Sequence, residues 1–309
     1  MTSAFDKIIG QPKVKKKLEF FLESQSKTRL SPHLLFVAPR GSGKTLIAQT
    51  YASQLVNSEG KKRRLVTINC SSLNRLKQFV NDILLPFVVG KEITILFDEA
   101  SEIPREISMV LLTILNPNQE NRNRFSFQDL EMDFDFRNVT FLFATTEPHK
   151  LFHALIDRLE RVDLEDYSSE NLSVILKRNV GLEINELVLK EIVSVLRGNA
   201  RQATLLAKHI RNYLEAKSKS CFDASDWLKY KEQMGVNPLG LTPLEIKVLR
   251  CLAEKTETTL TNLSAKTQLT REALQRDVEL HLQKLNLMEV TPTGRKLTAK
   301  GMTLLSELK

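Results

Sequence analysis

"FVAPRGSGKT", residues 36 to 45, decides how this chain is read. The apolar run "HLLFVA" (33–38) leads into it and the helical pattern "TLIAQTYASQL" (45–55) leaves it. Gly41, Gly43, Lys44 and Thr45 therefore sit on a turn between a buried strand and a helix, the context a phosphate-binding loop demands. Glycines let the backbone curl until successive N–H groups and the helix N-terminus converge on an anion. On this reading Arg40, Gly41, Ser42, Gly43, Lys44, Thr45 and Leu46 bind ATP. Lys44 reaches the β and γ phosphates and the Thr45 hydroxyl ligates Mg²⁺. Ala38 stands where the usual eight-residue pattern opens with glycine. Positive φ at that position would cost alanine about 1–2 kcal/mol, and the expectation is that Ala38 finishes the strand while the cradle begins at Gly41.

A second element agrees with the first. "ITILFDEA" (93–100) places Asp98 and Glu99 at the carboxyl end of a buried strand, where one carboxylate can serve the Mg²⁺ and the other can activate water. Loop and acidic pair together describe a motor-type ATPase. "LVTINC" (65–70) and "VTFLFATT" (139–146) are further apolar runs of strand length, and "VKKKLEFFLESQ" (14–25) carries helical spacing. The first half thus alternates in the manner of a parallel sheet flanked by helices, an α/β core.

From about Tyr167 successive amphipathic helices follow, with Ser168 or Ser169 as the first N-cap. Beyond a loop holding Gly235, Pro238 and Gly240 come three helical segments and a two-stranded turn around Thr293-Gly294, the pattern of a winged helix. The expected division is a large ATPase domain over 1–165, a small helical lid over 166–238 and a DNA-binding winged helix over 239–309.

Composition sets bounds. With 309 residues, 42% hydrophobic and 27% charged, the chain reads as globular with more than one core. No apolar stretch approaches membrane-spanning length and no signal sequence opens the chain, so the expected location is cytoplasmic. Cys70, Cys221 and Cys251 lie too far apart in sequence for metal-ligand spacing. The formal net charge of +8 favours a polyanionic partner.

These motifs resemble the AAA+ ATPases. "FLFATTEPHKLFHALIDRLERVDL" (141–164) is similar to the family's sensor 1 strand and arginine-finger segment, and "LRGNARQATLLAKHI" (196–210) to its sensor 2 helix. The resemblance implies that Thr146, beside Thr145, positions the attacking water. It makes Arg158 a finger to the γ-phosphate of a neighbouring subunit and Arg201 a contact to the γ-phosphate of its own. Within AAA+ proteins the chain resembles the RuvB family of Holliday junction motors along nearly its whole length. By that likeness the stretch around Ile9 and Gly10 lies against adenine.

"VELHLQKLNLMEVTPTGRKLTAKG" (278–301) resembles that family's last helix and wing, so Thr293, Gly294, Arg295 and Lys296 are expected on duplex DNA. The family's wing usually reads Thr-Pro-Arg-Gly-Arg, and Thr293 replaces its first arginine. "TETTLTN" (256–262) is shorter than the family's glycine-rich stretch there, and the N-terminus lacks the arginine-proline lead-in. "NRFSFQDLEMDFDFRN" (123–138) alternates like a β-hairpin turning near Gln128 and Asp129. The resemblance gives this hairpin to a RuvA-like junction-binding partner, with Phe125, Phe127 and Leu130 as apolar contacts, unless those side chains pack against the sheet.

The implied activity is ATP-driven branch migration by a homo-oligomeric ring, a hexamer, on duplex DNA. Two alternatives stay open: a clamp-loader or helicase-loader ATPase, and a non-catalytic, nucleotide-gated DNA-binding regulator.

Overall fold

A computed structural model of the chain describes residues 4–308. In chain order its principal elements begin with α1 (Pro12–Thr28), β1 (Leu34–Val37), α2 (Lys44–Ala52), β2 (Arg64–Asn69), β3 (Ile93–Asp98) and α3 (Arg105–Ile114). A hairpin of β4 (Arg122–Phe127) and β5 (Leu130–Asp135) precedes β6 (Val139–Thr145) and β7 (Glu160–Asp163). The helices α4 (Ser169–Val180), α5 (Glu186–Val195), α6 (Ala200–Ala216) and α7 (Ala224–Met234) follow. The last part holds α8 (Pro243–Ala253), α9 (Leu260–Thr267) and α10, a helical run through Arg271–Ala273, Leu274–Glu279 and Leu280–Lys284. It ends with β8 (Met288–Val290), β9 (Arg295–Leu297) and α11 (Ala299–Glu307).

The chain divides into two compact units that interleave in sequence. One runs to Glu183 and resumes over Gly198–Cys221; the other comprises Ile184–Arg197 and everything from Phe222 onward. In the first unit five strands form a parallel sheet in the order β2-β3-β6-β1-β7. Both faces are covered, so the strands read as unbroken apolar runs. Leu35, Val37, Ile95, Phe97, Phe141 and Phe143 fill one layer, while their neighbours Leu34, Phe36, Leu96, Leu142 and Ala144 fill the other. The Phe97 and Phe143 rings stack with centroids 4.9 Å apart.

Strand β7 was not foreseen. Charged Glu160, Arg161 and Asp163 surround Val162 and mask its apolar signal, because a strand at the sheet edge buries only part of its surface.

In the second unit the winged-helix core gathers Leu249, Leu263, Leu274, Val278, Leu282 and Leu287 from α8, α9, α10 and the turn after it. Thr242 and Glu245 form a reciprocal capping box at the start of α8. Glu245 is almost wholly buried and also receives Arg197, whose Nη2 lies 2.7 Å from Glu245 Oε1. The closing helix α11, capped by Thr298, lies beyond the three helical segments and turn expected for this domain.

Candidate nucleotide site and the wing

Strand register builds the site. Val37 is level with Thr145 and Asp98 with Ala144, so the loop after β1, the acidic end of β3 and the end of β6 leave the sheet side by side. Ligand sites in parallel sheets gather at this edge. Gly41 and Gly43 take left-handed φ values of 81° and 86°, which glycine alone adopts without cost. Ala38 has no such φ; it is buried, and its N–H donates to Thr145 O at 3.4 Å as a continuation of the strand. Alanine is therefore unstrained where the sequence pattern favours glycine.

Lys44 opens α2 and curls back, with Nζ donating to Ala38 O at 2.8 Å and to Pro39 O at 3.0 Å. Partial burial, aided by repulsion from Arg201 and Arg40, lowers its pKa to about 8 against the opposing pull of Asp98. A cation held this far from bulk water favours an anionic ligand that restores its charge. Beside it Thr45 Oγ1 donates to Asp98 Oδ2 at 2.9 Å. A hydroxyl and a carboxylate held adjacent are hard oxygen donors that suit Mg²⁺, a cation that takes its remaining oxygens from phosphate and water. Among the described residues no group of three or more His, Cys, Asp or Glu is arranged to hold a metal by itself.

Glu99 is exposed and sits at φ 55°, a left-handed conformation costly for a residue with a Cβ. The turn is held in part by the Glu99 N–H donating to Asp98 Oδ1 at 3.1 Å. Its strain aims the two consecutive carboxylates differently, Asp98 toward Thr45 and Glu99 into the adjoining cleft.

That cleft has two parts. A cavity of about 390 Å³ is lined by Arg40, Lys44, Thr45, Asp98, Glu99, Thr145, Thr146 and Arg201. A second, of about 530 Å³, is lined by Ile9, Gly41, Gly43, Lys44, Thr45, Leu46, Tyr167, Arg178 and Arg201. Lys44, Thr45, Gly41 and Arg201 border both. One polar chamber carrying carboxylates and cations thus opens into one with apolar walls, the shape a nucleoside triphosphate requires. Gly10 lines neither cavity; an added Cβ there would come 2.9 Å from Asn171 Nδ2. Ser42 is buried and its Oγ donates to Pro39 O at 2.9 Å, so it braces the loop.

Arg158 borders neither chamber. Its Nη1 donates to Ala154 O at 2.6 Å and its Nη2 to Asn116 Oδ1 at 3.3 Å. Tyr167, on the wall of the second cavity, and Asn199, whose Nδ2 donates to Arg40 O of the phosphate loop at 3.3 Å, were missed by motif reading. Asn199 follows Gly198 and precedes α6, a position with an N-cap signature legible in principle.

In the wing the four expected DNA contacts differ in exposure. Arg295 is only 13% exposed, and its guanidinium grips Glu279 of α10 with Nε at 2.8 Å from Oε1 and Nη2 at 3.1 Å from Oε2. Its guanidinium is thus largely withdrawn from solvent and committed to Glu279, where sequence alone suggests a freely exposed cation. Gly294 is also buried, pressed against the backbone of Thr258. Thr293 is exposed and donates to Glu257 at 2.6 Å, and Lys296 is exposed and pairs with Glu289 across the wing.

The hairpin forms in the expected register, with Phe127 opposite Leu130 across Gln128 and Asp129. Phe125 and Phe127 are half-buried against the core of the sheet, whereas Leu130 at the tip is 42% exposed. Packing thus claims much of the two phenylalanines.

Comparison with known proteins bears on both halves. Residues 34–167 match the ATPase family associated with various cellular activities (AAA), and residues 238–306 match the RuvB C-terminal winged helix domain. The chain is 27% identical over 320 aligned positions to the Holliday junction branch migration complex subunit RuvB of Mycoplasmopsis pulmonis, spanning 98% of this chain and 96% of that one. A solved point mutant of Thermotoga maritima RuvB is 25% identical, with a TM-score of 0.76 over 98% of this chain and 96% of its own. The structure described as the Thermotoga maritima RuvB Holliday junction branch migration motor is 23% identical, with a TM-score of 0.77 over 97% and 96%. No helix among the described residues is long and apolar enough to cross a membrane. With a phosphate loop, an acidic strand end and the start of α6 meeting in one cleft, and a winged helix after them, the chain is RuvB-like: an AAA ATPase domain over 34–167 joined to a RuvB-type winged helix over 238–306.

Proposed function

We propose that the chain is an ATP-driven motor of Holliday junction branch migration, working as a homohexameric ring on duplex DNA with a RuvA-like partner in the cytoplasm. The observation that carries this reading is the convergence of Lys44, Thr45, Asp98, Glu99, Thr146 and Arg201 on one cleft, in a chain similar to RuvB proteins along 98% of its length. Residues 1–165 supply the ATPase, 166–238 the lid and 239–309 the DNA-binding part.

In this reading Lys44 and the N–H groups of Gly41 to Thr45 hold the β and γ phosphates. Thr45 and Asp98 hold Mg²⁺, which when bound neutralises phosphate charge. Glu99 orients and deprotonates the attacking water, with Thr146 fixing its position. Arg201 meets the charge that develops on the γ-phosphate oxygens. The remoteness of Arg158 from its own cleft supports a role at the next subunit's cleft. DNA contact falls to Thr293 and Lys296, and the RuvA-like protein would meet the hairpin tip at Leu130.

A loader ATPase would carry a helical collar after the lid; the winged helix at 238–306 supports the motor instead. The test is migration of a synthetic four-way junction by the purified chain with a RuvA-like protein. Heteroduplex product should form with ATP and not with a non-hydrolysable analogue. Hydrolysis without any junction movement would overturn the motor reading and leave the loader in its place.

A further inference from the structure

We propose that Asn199 is a positioning residue for hydrolysis, a clasp that fixes the phosphate loop to the start of α6 and thereby sets where Arg201 stands. The inference rests on the reading of the cleft as an ATP site. Its basis is a single amide working at both ends. Asn199 Oδ1 accepts from Gln202 N at 3.1 Å and caps α6, while Nδ2 donates to Arg40 O in the phosphate loop at 3.3 Å. A second tie runs beside it, from Arg201 N to Gly41 O at 3.2 Å.

The fit is close. A Cβ added to Gly41 would lie 2.1 Å from Asn199 Oδ1 and 2.6 Å from its Cγ, so the amide rests on a loop residue with no side chain. Gly41 is therefore needed here for its bareness as well as for its left-handed φ of 81°. Because Asn199 and Arg201 are two residues apart on one helical start, the loop cannot shift without moving the backbone that carries the guanidinium. Arg201 borders both chambers of the cleft, where a displacement of the order of 1 Å changes catalysis strongly.

Side-chain chemistry separates the clasp from the cap. A carboxylate caps a helix as well as an amide but has no N–H to give, so Asn199→Asp keeps the bond from Gln202 N and loses the one to Arg40 O. Asn199→Ala loses both. The experiment compares the full-length chain and these two variants by melting temperature, by affinity for a fluorescent ADP analogue, and by kcat and KM for DNA-stimulated ATP hydrolysis.

Asn199→Asp should melt within about 2 °C of the unaltered chain and bind the ADP analogue with an affinity within a few-fold. Its kcat should fall by about tenfold or more, with KM little changed, since the guanidinium acts mainly on charge in the transition state. Asn199→Ala should show the same loss of kcat together with a lower melting temperature. Unaltered kcat in Asn199→Asp overturns the clasp. So does a parallel loss of melting temperature, ADP affinity and kcat in that variant, because it reports a structural role alone. An unaltered chain with no turnover overturns the ATPase reading and the clasp with it.

Discussion

Replacing Arg295 with alanine separates a buried brace from a DNA contact. The guanidinium makes two bonds to Glu279, at 2.8 and 3.1 Å, and the two side chains are 13% and 4% exposed. Removing it strands a carboxylate in the winged-helix core. Breaking a buried pair in this way costs about 3–5 kcal/mol, and the partly exposed edge of Arg295 points to the lower end, about 3 kcal/mol. For a domain of roughly 70 residues each kcal/mol moves the midpoint by about 4–8 °C. The transition reporting the winged helix should therefore fall by more than about 10 °C. Replacing both Arg295 and Glu279 with leucine should restore most of that loss, because the desolvated charges disappear together.

The contrasting variant is Lys296→Ala, which removes an exposed cation from the wing. It should leave the midpoint nearly unchanged and make the slope of log affinity for duplex DNA against log salt shallower by about 0.9, the value of one phosphate contact. Denaturation of the full chain and a salt titration of duplex binding read both quantities. If Arg295→Ala kept its midpoint and itself gave the shallower slope, the brace would be refuted and Arg295 would be the phosphate contact.

Other outcomes follow from the cleft and the hairpin. The Lys44 pKa, lowered to about 8 from 10.5, means the unfolded chain binds more protons between those values, so this group makes stability rise with pH across that window. Over the same range ATP affinity should fall by up to about tenfold per pH unit as the free lysine loses its charge, a dependence that Lys44→Arg removes in a binding titration across pH 7 to 10. Glu99→Gln should lower kcat by about a hundredfold or more while ATP still binds, measured by phosphate release beside nucleotide affinity. Arg158→Ala should bind ATP normally yet hydrolyse it at background, and mixing it with Glu99→Gln should recover activity if each subunit completes its neighbour's site. Leu130→Asp should weaken capture by a RuvA-like protein at unchanged melting temperature, whereas Phe127→Asp should also destabilise the chain.

Legibility in sequence tracked how local each determinant is. The loop, the acidic strand end and the four long apolar strands were readable because buried parallel strands advertise themselves and the cradle lies within ten residues. Strand β7 was hidden because an edge strand can carry three charges in four positions. Arg295, a basic residue beside a wing turn, has the composition of a DNA contact, and nothing in the local sequence signals its ion pair. Only its distance to Glu279, sixteen residues earlier, reveals the pairing. Asn199 was overlooked for a similar reason: its partner Arg40 lies 159 positions away. Ala38 was judged correctly because strand continuation depends only on its neighbours.

The interleaving of the two compact units bears on how the chain would withstand proteolysis. The chain passes between them at Glu183–Ile184, at Arg197–Gly198 and again at Cys221–Phe222, so three covalent crossings join them. A single nick in the backbone at any one crossing therefore leaves the two units covalently joined through the other two, where a beads-on-a-string protein would come apart.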